Sequence, residues 1–287
     1  MAKRSQKQWL SLCDLVAEVD GLPTRDEVGK WTEDKLFSWY CYMEMTTQAM
    51  SDKLSWPGGL AYVDLFGGPG ICVRENGKRV PGSALLAANT PKPFGNIVVC
   101  EKVPELADAL DKRLNKFGIK DSVIVGDCNA EIDKVVARIP QRALTLAFVD
   151  PEGLHINFET LRTLTTGRQI DLTVLFPDRM DIARNVELYA SQTESNLDRF
   201  LGPNTNWREQ WRGLANQSAE NVSQLFGEIY KSQLEKELGF TEIRHLVFKA
   251  GSQPIYRIIY ASKHPLGGKF WDEISKIDRG GQQSLGF

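Results

Sequence analysis

Five short apolar runs separated by amphipathic stretches constrain this 287-residue chain more than any other feature. The runs span 60–66, 96–100, 122–125, 144–149 and 171–176. Each is apolar almost throughout, the pattern of strands covered on both faces rather than one. Between them, segments 83–88, 103–117, 130–138 and 158–166 place apolar residues at helical spacing. Strands that alternate with helices predict an α/β chain with an open, mostly parallel, doubly wound sheet.

The flanks read differently. Residues 1–59 read as a helical N-terminal extension, with Trp9, Leu12, Cys13 and Val16, then Leu36, Phe37, Tyr40, Met43 and Met50, at three- and four-residue steps. Gly21-Leu22-Pro23 breaks the two stretches. The remainder, 60–287, reads as one domain with a helical insert at about 179–239. Within that insert Trp207 and Trp211 stand four apart and read as core rather than as stacking platforms. Two β-rich runs, 242–249 and 254–262, are joined by Ala250-Gly251-Ser252-Gln253, a link that suits an antiparallel hairpin. The Gly/Gln-rich tail after Arg279 reads as a frayed end.

Charge and cysteine usage narrow the class. Thirty-five basic against 37 acidic residues give a net charge of −2, so no global basic field advertises nucleic acid or membrane. The five cysteines show no CxxC or CxxH spacing, which predicts no metal site from local ligands. Their odd count suits a reducing cytosol. No stretch approaches the roughly 18 apolar residues of a membrane span. The expectation is a soluble, cytoplasmic protein.

The chemistry gathers where the apolar runs end. The first closes in Asp64-Leu65-Phe66-Gly67-Gly68-Pro69-Gly70, a loop whose glycines let backbone approach a ligand closely. The dinucleotide fingerprint G-x-G-x-x-G fails at Val73, and an acidic residue leads the loop instead. A carboxylate there suits a cationic ligand. The second run ends at Glu101, placed to accept both hydrogen bonds of a ribose diol. The third ends at Asp127-Cys128-Asn129, where Asp127 is equally well read as an adenine-amino acceptor or as a helix N-cap. The fourth ends at Asp150-Pro151-Glu152-Gly153-Leu154-His155. Acidic residues at four successive strand tips point to a nucleotide-type site.

These motifs resemble those of class I S-adenosylmethionine (SAM) methyltransferases, whose parallel sheet of five is finished by an antiparallel pair. More closely, the chain resembles the three-Cys-motif partner (TcmP) family. The likeness rests on Tyr62-Val63-Asp64-Leu65-Phe66-Gly67-Gly68-Pro69-Gly70, on Gly82-Ser83-Ala84-Leu85-Leu86 and on Phe148-Val149-Asp150-Pro151-Glu152-Gly153. It continues in Arg184, Phe200-Leu201-Gly202 with Trp207, and Tyr260-Ala261-Ser262-Lys263-His264. The resemblance implies a Rossmann-like seven-stranded sheet that binds SAM. It puts Asp64, Gly67, Gly68 and Gly70 at the methionine end, Glu101 at the ribose, Asp127 at the adenine amino group and Asp150 nearest the sulfonium, with Phe66 and Cys128 also cofactor-binding. It also implies a radical-SAM genomic neighbour as partner.

Asp150, Glu152 and His155 are the catalytic candidates, with His264 a weaker one and His245 structural. Gly153 stands where base-methylating enzymes carry a stacking aromatic, and Glu152 follows Pro151 where cytosine-C5 enzymes carry a nucleophilic cysteine. The reading is methyl transfer to an N or O acceptor, on nucleic acid or on a partner-generated modified group. The rival is a non-catalytic SAM-binding partner protein.

Overall fold

The computed structural model describes residues 2–53 and 55–277. Helices α1 (Ala2–Leu15) and α2 (Lys30–Met50) flank a short strand, β1 (Arg25–Val28). Then follow β2 (Leu60–Asp64), β3 (Ile71–Arg74), β4 (Arg79–Pro81), α3 (Ser83–Ala88), β5 (Asn96–Glu101) and α4 (Pro104–Lys116). The alternation continues through β6 (Val123–Val125), α5 (Cys128–Arg138), β7 (Leu144–Val149), α6 (Phe158–Thr165) and β8 (Gln169–Phe176). A π-helical turn, Asp178–Ile182, leads into α7 (Ala183–Ser191), α8 (Asn196–Leu201), α9 (Trp207–Arg212) and α10 (Ala219–Lys236). The described chain closes with β9 (Glu242–Ala250), β10 (Gln253–Ser262) and α11 (Pro265–Ile274). The tail after Arg279 lies outside the described residues.

Seven strands form one sheet in the order β6-β5-β2-β7-β8-β10-β9. The five from β6 to β8 are parallel, and β10 runs antiparallel to both its neighbours. This is the Rossmann-like sheet expected of a class I methyltransferase. In register, Val63 lies beside Val98 on one side and Ala147 on the other. The chain leaves β2 toward β5 and β6, then returns to β7 on the opposite side. That reversal opens a crevice beyond the carboxyl end of β2, where open α/β sheets bind ligands.

Alternate residues of each strand feed two cores, one per face. Val63, Val98 and Val149 face Leu161, Trp207, Phe226 and Tyr230. Trp207 and Trp211 are both buried, as core tryptophans should be. Tyr62, Val99, Leu146 and Phe148 face the other way, onto α2. That helix is buried on most of its surface. Trp39 stacks on Phe148 with ring centroids 5.1 Å apart, and the Tyr42 hydroxyl donates to buried Asp171 at 2.6 Å.

One part of the extension departs from its helical reading. Segment 25–28 is a strand, and with the β3–β4 hairpin it makes a second sheet, ordered β1-β3-β4. Its sequence, Arg-Asp-Glu-Val, buries only Val28, so no alternation of apolar and polar residues announces it. The hairpin turns at Asn76-Gly77, where Gly77 takes the positive φ of 78° that such a turn needs. No helix among the described residues is long and apolar enough to cross a membrane.

Candidate active site

Beyond the carboxyl ends of β2, β5, β6 and β7 lies a cleft of about 570 Å³, a size that suits a drug-sized ligand. Its lining includes Phe66, Gly68, Glu101, Asp127, Cys128, Asp150, Glu152 and His155. The parallel register explains the convergence, because each of these residues ends or follows a strand that finishes at the same edge. Asp64, Gly67 and Gly70 do not line it.

Asp64 sits beneath the glycine loop with 0% exposure. Its carboxylate accepts from the Ser83 hydroxyl, from the Tyr62 hydroxyl at 3.2 Å and from the Phe66 amide at 3.0 Å. Burial pushes its pKa up to about 6 despite the Ser83 and Phe66 hydrogen bonds. Its place is that of a brace for the loop. Gly67 packs tightly: an added Cβ would stand 2.3 Å from Val99 Cγ1 and 2.9 Å from Leu110 Cδ2. Gly68 differs, with a φ of 57° and open space where its Cβ would be.

Glu101 fastens the same loop from the neighbouring strand. Its Oε2 accepts the Gly68 amide at 2.8 Å, and its Oε1 accepts the Val103 amide at 2.8 Å. Asp127 is the N-cap of α5, accepting from the Asn129 amide at 2.9 Å and from Lys102 Nζ at 3.1 Å. Burial raises its pKa, but the Asn129 amide and Lys102 outweigh that and leave it lowered. Burial pushes the Cys128 thiol well up, so it is not a thiolate at neutral pH.

Asn129 then ties this strand end to the next. Its Nδ2 donates to the His155 carbonyl at 2.7 Å, while its Oδ1 accepts from the Asn157 amide at 2.9 Å and the Thr160 hydroxyl at 2.7 Å. The loop carrying His155 is thereby held over the cleft with the ring exposed. Gly153, with φ 82°, lets that loop pass the next strand's exit, since a Cβ would come 2.8 Å from Asp181 Oδ2. His264 is placed away from this cleft, where its Nδ1 accepts the Leu266 amide at 3.1 Å and caps α11.

The extension supplies what sequence reasoning missed. Lys35 of α2 forms an ion pair with Asp150, side chains 7% and 15% exposed. Arg25 of β1 pairs with Glu152 at 2.8 Å, and Thr24, Arg25 and Asp26 line the cleft. Both strand-tip carboxylates after β7 are therefore matched by cations from before residue 36. Among the described residues, no group of three or more His, Cys, Asp or Glu is arranged to hold a metal ion.

No protein-family model matches the chain, and no curated protein matches it. Solved structures resemble it in outline. One is a Legionella pneumophila protein of the DUF519 family, 13% identical, with 82% of this chain and 86% of that one covered at a TM-score of 0.48. Another is an O-methyltransferase from Bacillus cereus in complex with SAH, 9% identical, with 91% of each chain covered and a TM-score of 0.45. A third is the O-methyltransferase TomG from Streptomyces achromogenes in complex with SAM, 11% identical, with 90% and 99% covered and a TM-score of 0.40. Likeness at this level carries nothing about chemistry, which has to be read from the residues of the cleft.

Proposed function

We propose that this chain is a SAM-dependent methyltransferase of the three-Cys-motif partner type, transferring methyl to an N or O acceptor. The observation that carries the reading is the convergence of Glu101, Asp127, Asp150 and Glu152 on one cleft beside a glycine loop. That donor set fits the cofactor: Glu101 and Asp127 offer carboxylate acceptors to hydroxyl and amino groups, and Gly68 leaves backbone bare beside the cleft. Bound there, SAM supplies an electrophilic methyl group.

The chain's own residues then bind and orient. Each Glu101 oxygen already holds one amide and keeps a second lone pair for a ribose hydroxyl. Asp150 would lie nearest the methyl group to be transferred, with its charge balanced by Lys35. The His155 imidazole, exposed and without a hydrogen bond from the described residues, is free to take the acceptor's proton. Five buried cysteines suit a reducing, cytoplasmic setting. Nucleic acid is the acceptor class to test first, by the steep loss of binding with salt that phosphate contacts impose.

A second reading, a non-catalytic SAM-binding partner of a radical-SAM protein, is favoured by one feature. Asp150 and Glu152 are both committed to ion pairs. Calorimetric titration with SAM, S-adenosylhomocysteine (SAH) and NAD tests the cofactor first, and micromolar binding of the two sulfur ligands but not NAD is expected. Asp150→Ala then separates the readings. An enzyme keeps SAM binding within a few-fold and loses methyl transfer, whereas a scaffold loses binding alone.

A further inference from the structure

Thr24, Arg25 and Asp26 line the cleft although they precede its first strand by some 35 residues. Their segment is anchored firmly at both ends and weakly between. On the near side, Arg113 Nε and Nη2 each donate to Asp20 at 2.8 Å. The same buried guanidinium donates from Nη1 to the Pro23 carbonyl at 2.8 Å and to the Pro69 carbonyl of the glycine loop at 2.6 Å. On the far side, fully buried Glu33 accepts from Arg74 at 3.0 Å and from Lys78 at 2.6 Å, and Lys35 pairs with Asp150.

Between these anchors β1 makes only a broken ladder. Arg25 pairs with Cys72 and Val28 with Arg74, and the register shifts in between. Glu27, in the irregular stretch, has a φ of 56°, a left-handed conformation that non-glycine residues enter at a cost. The tie across the cleft is the Arg25–Glu152 pair, whose side chains are 46% and 74% exposed. Exposed ion pairs hold weakly and reversibly. A buried clamp at each end, a strained and sparsely bonded middle and one exposed cross-link make up a segment that can lift without the sheet moving.

We propose that residues 24–28 form a strap that closes the cleft, with Arg25–Glu152 as its latch, so that ligand enters and leaves by the lifting of this strap. Glu152 then acts as a latch and not as a base. The identity of the ligand rests on the SAM reading above, whereas the motion of the strap does not.

The test follows amide hydrogen exchange in 24–28 together with the dissociation rate of SAH by stopped flow. It compares the full-length protein with Arg25→Ala, Glu152→Gln and the charge swap Arg25→Glu/Glu152→Arg. Each single variant should speed exchange in the strap and SAH release by about two- to five-fold, the range an exposed ion pair supports. Exchange around Asp20 and Glu33 should stay unchanged, the swap should restore both rates, and saturating SAH should slow strap exchange in the unaltered protein. Faster strap exchange with no SAH binding at all would support the strap and sink the cofactor reading instead. SAH binding with unchanged exchange and release in every variant would overturn the strap, as would faster exchange that leaves SAH release unaltered.

Discussion

Lys35 and Asp150 stand 115 positions apart in the chain and meet as a nearly buried ion pair at the rim of the cleft. The contact joins α2 to the tip of β7, and so makes that helix part of the site rather than its surroundings. Removing one partner of such a pair strands the other's charge at a cost of about 3–5 kcal/mol. Lys35→Met should lower unfolding stability by that order in urea. The double variant Lys35→Met/Asp150→Asn should lose clearly less than the two single losses added together, a coupling that a double-mutant cycle would read directly.

Asp64 gives the stability a pH dependence of definite sign. Burial raises its folded pKa from an ordinary 3.8 to about 6, so between those values the folded state holds a proton that the unfolded state has released. Stability from this group is full below about pH 4 and is lost as pH rises through 6, by about 3 kcal/mol at most. Asp64→Asn removes the titration. Chemical denaturation at pH 4, 5, 6 and 7 should show the gap between the two proteins shifting in the variant's favour as pH rises.

Neighbouring glycines in the loop should respond differently to the same change. Gly67→Ala forces a methyl group into Val99 and Leu110, so destabilisation and loss of SAM binding are expected together. Gly68→Ala meets open space but must hold a φ of 57°, costing about 1–2 kcal/mol while the fold survives. Thermal melts paired with SAH titration distinguish the two, and a Gly67→Ala protein of unchanged melting temperature would contradict the packing described.

Arg113 should tolerate no replacement. Hydrogen bonds from its guanidinium hold the Asp20 carboxyl well below the usual carboxylate range, and the same group serves the Pro23 and Pro69 carbonyls. Arg113→Lys keeps the charge but not the planar fork, so most of a loss of about 3 kcal/mol or more should remain. Asp20's contribution is present above pH 4 and is lost as pH falls below it. The deficit of Arg113→Met should therefore narrow in acid.

Much of this architecture was legible in residue order. The apolar runs are long and unmixed because both faces of the sheet are covered, and acidic tips stand out against them. The pair 242–250 and 253–262 advertised itself through a glycine-bearing link. What stayed hidden has physical causes. Strand β1 exposes three of its four residues and so lacks an apolar signature. Lys35 sits in a helix whose residues read as packing, and its partner is supplied only by the tertiary fold. Asp64 reads as a ligand carboxylate, yet Ser83, Tyr62 and the Phe66 amide enclose it, which spacing along a chain does not reveal.

The burial of α2 bears on how the molecule comes apart. With Trp39 stacked on Phe148 and Tyr42 bonded to Asp171, a chain beginning at Leu60 would bare the aromatic face of its own sheet and take one hydrogen-bond donor from a buried acid. Residues 30–50 and the parallel strands should therefore melt as one cooperative unit, and proteolytic trimming that removes the second helix should leave aggregate rather than a smaller working protein.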